Sequence, residues 1–149
     1  MSVEPHGVSR VRVVGIGSGH PDQLTVEAVE ALRSADFAIA ARKRADDPLL
    51  AARQEIVARH APGLEIVEVD DPERDRSASA TETQDGYTGV VADWHDARAE
   101  RYEQVLARHS GEAAFLVWGD PSFYDSTIRV VERILERGNL AFAWDVVPG

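Results

Sequence analysis

Short apolar runs rich in β-branched residues alternate with longer runs of helical period from one end of this chain to the other. VRVVGI (11–16), FAIAA (37–41), LEIVEV (64–69), AAFLVW (113–118) and AFAWDVV (141–147) read as strands. Between them, Thr25 caps a helix with Val26, Val29 and Leu32 along one side, and a second helix runs from Pro48 to His60 before Pro62-Gly63. A third covers about 88–109, with Val90, Val91, Trp94, Tyr102, Val105 and Leu106 near one face. A fourth covers about 125–137, with Ile128, Val131, Ile134 and Leu135, and stops at Gly138. The polar stretch 70–87 reads as a long loop. A β-α-β-α-β-α-β-α-β order calls for right-handed crossovers and an α/β fold: a five-stranded, mostly parallel sheet with helices on both faces.

Such folds bind ligands beyond the carboxyl ends of the strands. Two loops of unusual composition fall there. GIGSGHPDQLT follows the first strand, with Gly15, Gly17 and Gly19 at alternate positions. It is not the dinucleotide fingerprint, because His20 stands where the last glycine belongs and Pro21 follows. The second strand also ends on Arg42, Lys43 and Arg44 instead of an acid, which leaves an NADP-binding reductase as one reading. WGDPSFYDST follows the fourth strand. Gly119 allows close backbone approach, Asp120 offers a carboxylate, and Asp125 or Ser126 caps the next helix. Gly-Asp-Pro alone is a common turn. Two glycine-bearing loops at one sheet edge suggest a ligand site.

Charge and composition narrow the class. A net charge of −10 over 149 residues disfavours nucleic acid. The absence of cysteine removes thiolate sites and a cysteine nucleophile. No run has the roughly 18 apolar residues of a membrane span, and no apolar leader opens the chain, so a cytoplasmic protein is expected. His6, His60 and His109 lack partners at metal-ligand spacing. His95 and Asp96, beside Trp94, point about 100° apart on a helix, which suits a solvated or dimer-facing role better than a general-base pair.

GIGSGHPDQLTVEAVEALRSADFAIA resembles the N-terminal signature of the tetrapyrrole methylases, enzymes that use S-adenosyl-L-methionine in cobalamin and sirohaem synthesis. FLVWGDPSFYDST resembles the family's second signature and WDVVPG its third, in the same order. DDPERDRSA, VADWHDARAERYE and FLVWGDPSFYDSTIRVVERI resemble the branch that methylates C-1 of precorrin-5 and releases acetate. The resemblance implies that 1–149 is the N-terminal domain, with a C-terminal domain absent from this chain, and that the whole enzyme is a homodimer with a small tetrapyrrole substrate. It implies cofactor contacts at Ser18, Trp118, Gly119, Asp120 and Phe123. Where many relatives carry an acid in the first loop, this chain has His20, so the acid's role passes to Asp22. Catalytic candidates are Asp120 or Asp22 near the cofactor and Tyr124 or His20 for proton handling. Arg42, Lys43, Arg44 and Arg129 are candidate partners for substrate carboxylates. Another precorrin or uroporphyrinogen methylase and an inactive truncated domain are the alternatives.

Overall fold

A computed structural model describes residues 7–42, 48–70, 84–122 and 125–149, with side chains of the third helix described from Asp96 onward. Five strands, β1 (Arg10–Gly15), β2 (Phe37–Arg42), β3 (Glu65–Asp70), β4 (Glu112–Val117) and β5 (Ala143–Val147), form one sheet in the order β3-β2-β4-β1-β5. Every pairing is parallel. The helices are α1 (Val26–Ser34), α2 (Pro48–His60), α3 (Gln84–Arg108) and α4 (Ser126–Arg137). The α/β architecture is the one expected from the alternation.

The pleat of β4 shows how the sheet is covered. Ala113, Phe115 and Val117 point to one face, where they pack with Ala99, Tyr102 and Leu106 of α3 and Val130, Val131 and Ile134 of α4. Ala114 and Leu116 point to the other, with Ala28, Ala31 and Leu32 of α1 and Ile56 and Val57 of α2. Burial of both faces explains why β4 carries no polar alternation. The first two crossovers run one way along the sheet over one face and the last two run the other way over the other face. The loops that leave β1 and β4, which are neighbours, therefore lead to helices on opposite faces.

Helix ends follow the expected chemistry. Thr25 Oγ1 accepts the Ala28 N–H at 3.0 Å, Asp125 Oδ1 accepts the Thr127 N–H at 2.8 Å, and Gly138 closes α4 at φ 76°. The buried faces differ from expectation in two places. α1 buries Ala28, Ala31 and Leu32, while Val26 is 77% exposed. Val26 lies two residues before Ala28, about 200° around the helix, and so faces water. α4 is rotated by about one residue: Thr127, Val130, Val131 and Ile134 are buried, with Ile128 half-buried. The side chains of Val90, Val91, Trp94 and His95, and most of the 70–87 loop, lie outside the described residues. No described helix is long and apolar enough to cross a membrane.

Candidate functional site

Three chain segments meet at the carboxyl rim between β4, β1 and β5. The β1–β4 ladder carries Gly15 opposite Val117, and Ile16 N–H continues it to Val117 C=O at 2.8 Å. Beyond the strands the two loops stay joined. Gly17 N–H donates to Gly119 C=O at 3.2 Å and Gly119 N–H to Gly17 C=O at 2.9 Å, an antiparallel bridge between the two turns. Gly149 enters from β5. A Cβ on Gly15 would stand 2.6 Å from Gly149 N and 2.7 Å from Gly119 O, so only glycine lets the three backbones come this close. Thr25 O–H donates to Pro148 C=O at 3.2 Å and ties the last turn to α1.

Gly119 differs from Gly15. Nothing stands within 4 Å of where its Cβ would be, and at Gly17 the nearest atom is Gln23 O at 3.5 Å. The bridge thus leaves open backbone on its outer side, where a ligand can approach the peptide groups. Pro121 is fully buried and anchors the second loop. Asp120 Oδ1 accepts Ser122 N–H at 2.9 Å and Ser122 O–H at 2.5 Å. These Ser122 bonds, with a further backbone donor at Gly149, hold the carboxyl of Asp120 below the usual range and keep it anionic.

In the first loop Ser18 is exposed, donates from its hydroxyl to Gln23 Oε1, and accepts His20 N–H at 3.3 Å. His20 Nδ1 accepts Asp22 N–H at 3.0 Å, capping a 3-10 turn over Pro21–Gln23. In the neutral ring that acceptor role puts the proton on Nε2. Asp22 forms an ion pair with Arg59 in the last turn of α2, and His60 Nε2 lies 2.6 Å from Pro21 O. Trp118 closes over the first loop, its six-membered ring filling the space beside Gly19, which has φ 89°. The Arg53 guanidinium carbon lies 5.4 Å from the Trp118 ring centroid, and Arg53 Nε donates to Leu116 C=O at 3.0 Å.

The structure brings together Ser18, His20, Trp118, Gly119 and Asp120 around two joined loops, and ties Asp22 to α2. Phe123 and Tyr124 lie outside the described residues, as do Lys43 and Arg44. Arg42 is engaged by Asp70 at 2.9 Å and Glu68 at 3.5 Å, on the far side of β4 from the glycine loop. Of the two cations the reductase reading used, Arg42 is thus engaged by carboxylates and Lys43 lies outside the described residues. Asp96 pairs with Arg133 at 2.6 Å, on the α3–α4 surface. Among the described residues no cluster of three metal-ligating side chains occurs. The sequence reading passed over Arg53, which is 9% exposed. Its signal was its place in the stripe Leu50, Arg53, Ile56, Val57, an arginine at an inward position of α2.

Residues 10–149 match the family of Tetrapyrrole (Corrin/Porphyrin) Methylases. The chain is 44% identical to a precorrin-6A synthase (deacetylating) of Sinorhizobium sp over 96% of this chain and 55% of that protein. It is 32% identical to a precorrin-2 C(20)-methyltransferase of Sinorhizobium sp over 96% of this chain and 54% of that one. Among solved structures it is similar to a cobalamin-synthesis-related protein (CobF) of Corynebacterium diphtheriae. The TM-score is 0.70 and the identity 37%, over 95% of this chain and 53% of that one. The chain spans about half the length of the curated relatives it matches.

Proposed function

As the chain belongs to the tetrapyrrole (corrin/porphyrin) methylases, we propose that it is the amino-terminal half of an S-adenosylmethionine-dependent enzyme that methylates C-1 of precorrin-5 and releases acetate. The observation that carries this reading is the Gly17–Gly119 bridge, with Gly149 packed against the same rim. It puts three sequence-distant turns at one edge and leaves open backbone at Gly17 and Gly119. The likeness to the Sinorhizobium deacetylating synthase favours precorrin-5 over other corrin precursors.

The residues at the rim fit a sulfonium cofactor. Gly17 and Gly119 admit a ligand to the backbone, Ser18 and Trp118 flank it, and Asp120 is a carboxylate held anionic beside it. Phe123 completes the proposed contacts. When bound, S-adenosylmethionine supplies an electrophilic methyl group, transferred in line to an electron-rich ring carbon. The protein's part is to hold the two partners in register and exclude water. Loops fixed by paired backbone hydrogen bonds and a buried proline suit that task.

Acetate release is hydrolytic. Water adds to the ketone carbon of the extruded acetyl group, the carbon–carbon bond breaks, and its electron pair stays with the ring. A base that takes the water proton speeds this step. Asp120 directly follows the bridge residue Gly119, whereas Asp22 is paired with Arg59. Asp120 is therefore the better placed of the two acids to face the sulfonium, while its depressed pKa makes it a weak base. His20 of the first loop, whose Nδ1 accepts the Asp22 N–H and whose neutral ring therefore donates from Nε2, is a candidate for proton handling, and Tyr124 is the further one.

We place the enzyme in the cytoplasm, as a homodimer of two-domain subunits in which residues 1–149 form the first domain. Calorimetric titration tests the cofactor: S-adenosylhomocysteine binds and NADPH does not. Incubation of the full enzyme with S-adenosylmethionine and precorrin-5 yields C-1-methylated product and equimolar acetate. Affinity for NADPH without affinity for S-adenosylhomocysteine would refute the reading.

A further inference from the structure

The first loop meets a ligand with acceptors, and Gln23 is the reason. Ser18 is exposed and follows directly on the bridge residue Gly17. A hydroxyl has one proton to give and two lone pairs with which to receive. The Ser18 proton goes to Gln23 Oε1, and one lone pair takes the His20 N–H at 3.3 Å. A single lone pair remains, so Ser18 faces a ligand as an acceptor.

Gln23 is itself held in place. It ends the 3-10 turn, and its N–H donates to His20 C=O at 2.9 Å. The Asp22 N–H beside it is capped by His20 Nδ1. The backbone oxygen of Gln23 would lie 3.5 Å from a Cβ on Gly17. Two oxygen acceptors thus flank the open backbone of Gly17, and the anionic Asp120 follows Gly119 across the bridge. Arg59, which reaches this loop from α2, is paired with Asp22. Surroundings of this kind suit a positively charged group with several N–H donors, and a primary ammonium has three.

We propose that Gln23 is a positioning residue that turns the Ser18 hydroxyl into an acceptor for a primary ammonium, the α-amino group at the amino-acid end of the cofactor. The proposal rests on the methylase reading for the identity of the cofactor and adds which of its ends lies at the first loop. A hydrogen bond from an ammonium to the hydroxyl oxygen is charge-assisted. Without Gln23 the hydroxyl proton is free to turn outward, toward the cation, and the contact weakens.

The test titrates S-adenosylhomocysteine and methylthioadenosine into the 149-residue chain. The second ligand keeps the nucleoside and the thioether and lacks the amino-acid end. Gln23→Ala weakens S-adenosylhomocysteine about fivefold or more and leaves methylthioadenosine unchanged. Gln23→Glu, whose carboxylate can only accept the Ser18 proton, keeps the original affinity. Ser18→Ala loses as much as Gln23→Ala, and the double variant loses no more, because one side chain acts through the other. Both side chains are exposed, so neither change opens the core. Four results each overturn the assignment and leave the methylase reading standing: S-adenosylhomocysteine unaffected by Gln23→Ala, equal losses for the two ligands, a loss in Gln23→Glu as large as in Gln23→Ala, or additive losses in the double variant. An unaltered chain that binds NADPH and neither adenosyl compound overturns the methylase reading, and the assignment with it.

Discussion

Gly19→Ala and Gly63→Ala form a matched pair that isolates the contact between Trp118 and the glycine loop. The two glycines have nearly the same backbone, φ 89° and φ 93°. An L-residue there costs about 1–2 kcal/mol. Stiffening the unfolded chain returns about 0.4–1 kcal/mol. At Gly63 nothing lies within 4 Å of the new methyl, so the net loss is about 1 kcal/mol. At Gly19 the methyl would stand 1.9 Å from a carbon of the Trp118 six-membered ring, over which the Arg53 guanidinium lies at 5.4 Å. Overpacking of this kind adds about 1–3 kcal/mol, for a total near 2–4 kcal/mol. For a chain of this length each kcal/mol moves Tm by about 2–4 °C. Urea denaturation compares the two variants, and tryptophan emission reports whether the indole has been displaced. Stabilities within about 0.5 kcal/mol of each other, with unchanged emission, would refute the claim that Trp118 is seated on Gly19.

Two further expectations concern the same rim. Thr25→Ala removes both the cap on Ala28 N–H and the bond to Pro148 C=O. It costs about 0.5–2 kcal/mol in denaturant unfolding, and Thr25→Ser restores most of it. Because the folded-state pKa of Asp120 is depressed by Ser122 and Gly149, its contribution is fully present above the ordinary carboxylate range and is lost as pH falls through the depressed value. A carboxyl carbon titration by NMR places its midpoint below that of a model aspartate, and Ser122→Ala moves it back up; an unchanged midpoint in the variant refutes the cause.

Local chemistry was legible along the chain. The strand and helix runs, the caps at Thr25 and Asp125, and the stop at Gly138 depend on residues within a turn or two of each other, so period and side-chain type were enough to place them. The helix faces were less legible. An apolar residue near a helix end, such as Val26, fits a 3.6-residue pattern whether or not anything covers it, and only the packing of α1 on β1 and α2 decides. Arg53 shows the converse: its charge reads as solvent-facing, yet its position in an apolar stripe carries it under Trp118.

The amino-acid sequence by itself determined that strands and helices alternate and that glycine-bearing turns follow the first and fourth strands. Only the tertiary structure decided that those two strands are neighbours and that their turns bond to each other. The physical reason is the range of the interaction. Parallel pairing of β1 with β4 joins residues about a hundred positions apart through backbone groups that every residue shares, so no local pattern encodes the partner. The joint burial of both sheet faces selects the order β3-β2-β4-β1-β5, and that order makes a rim from Gly17, Gly119 and Gly149.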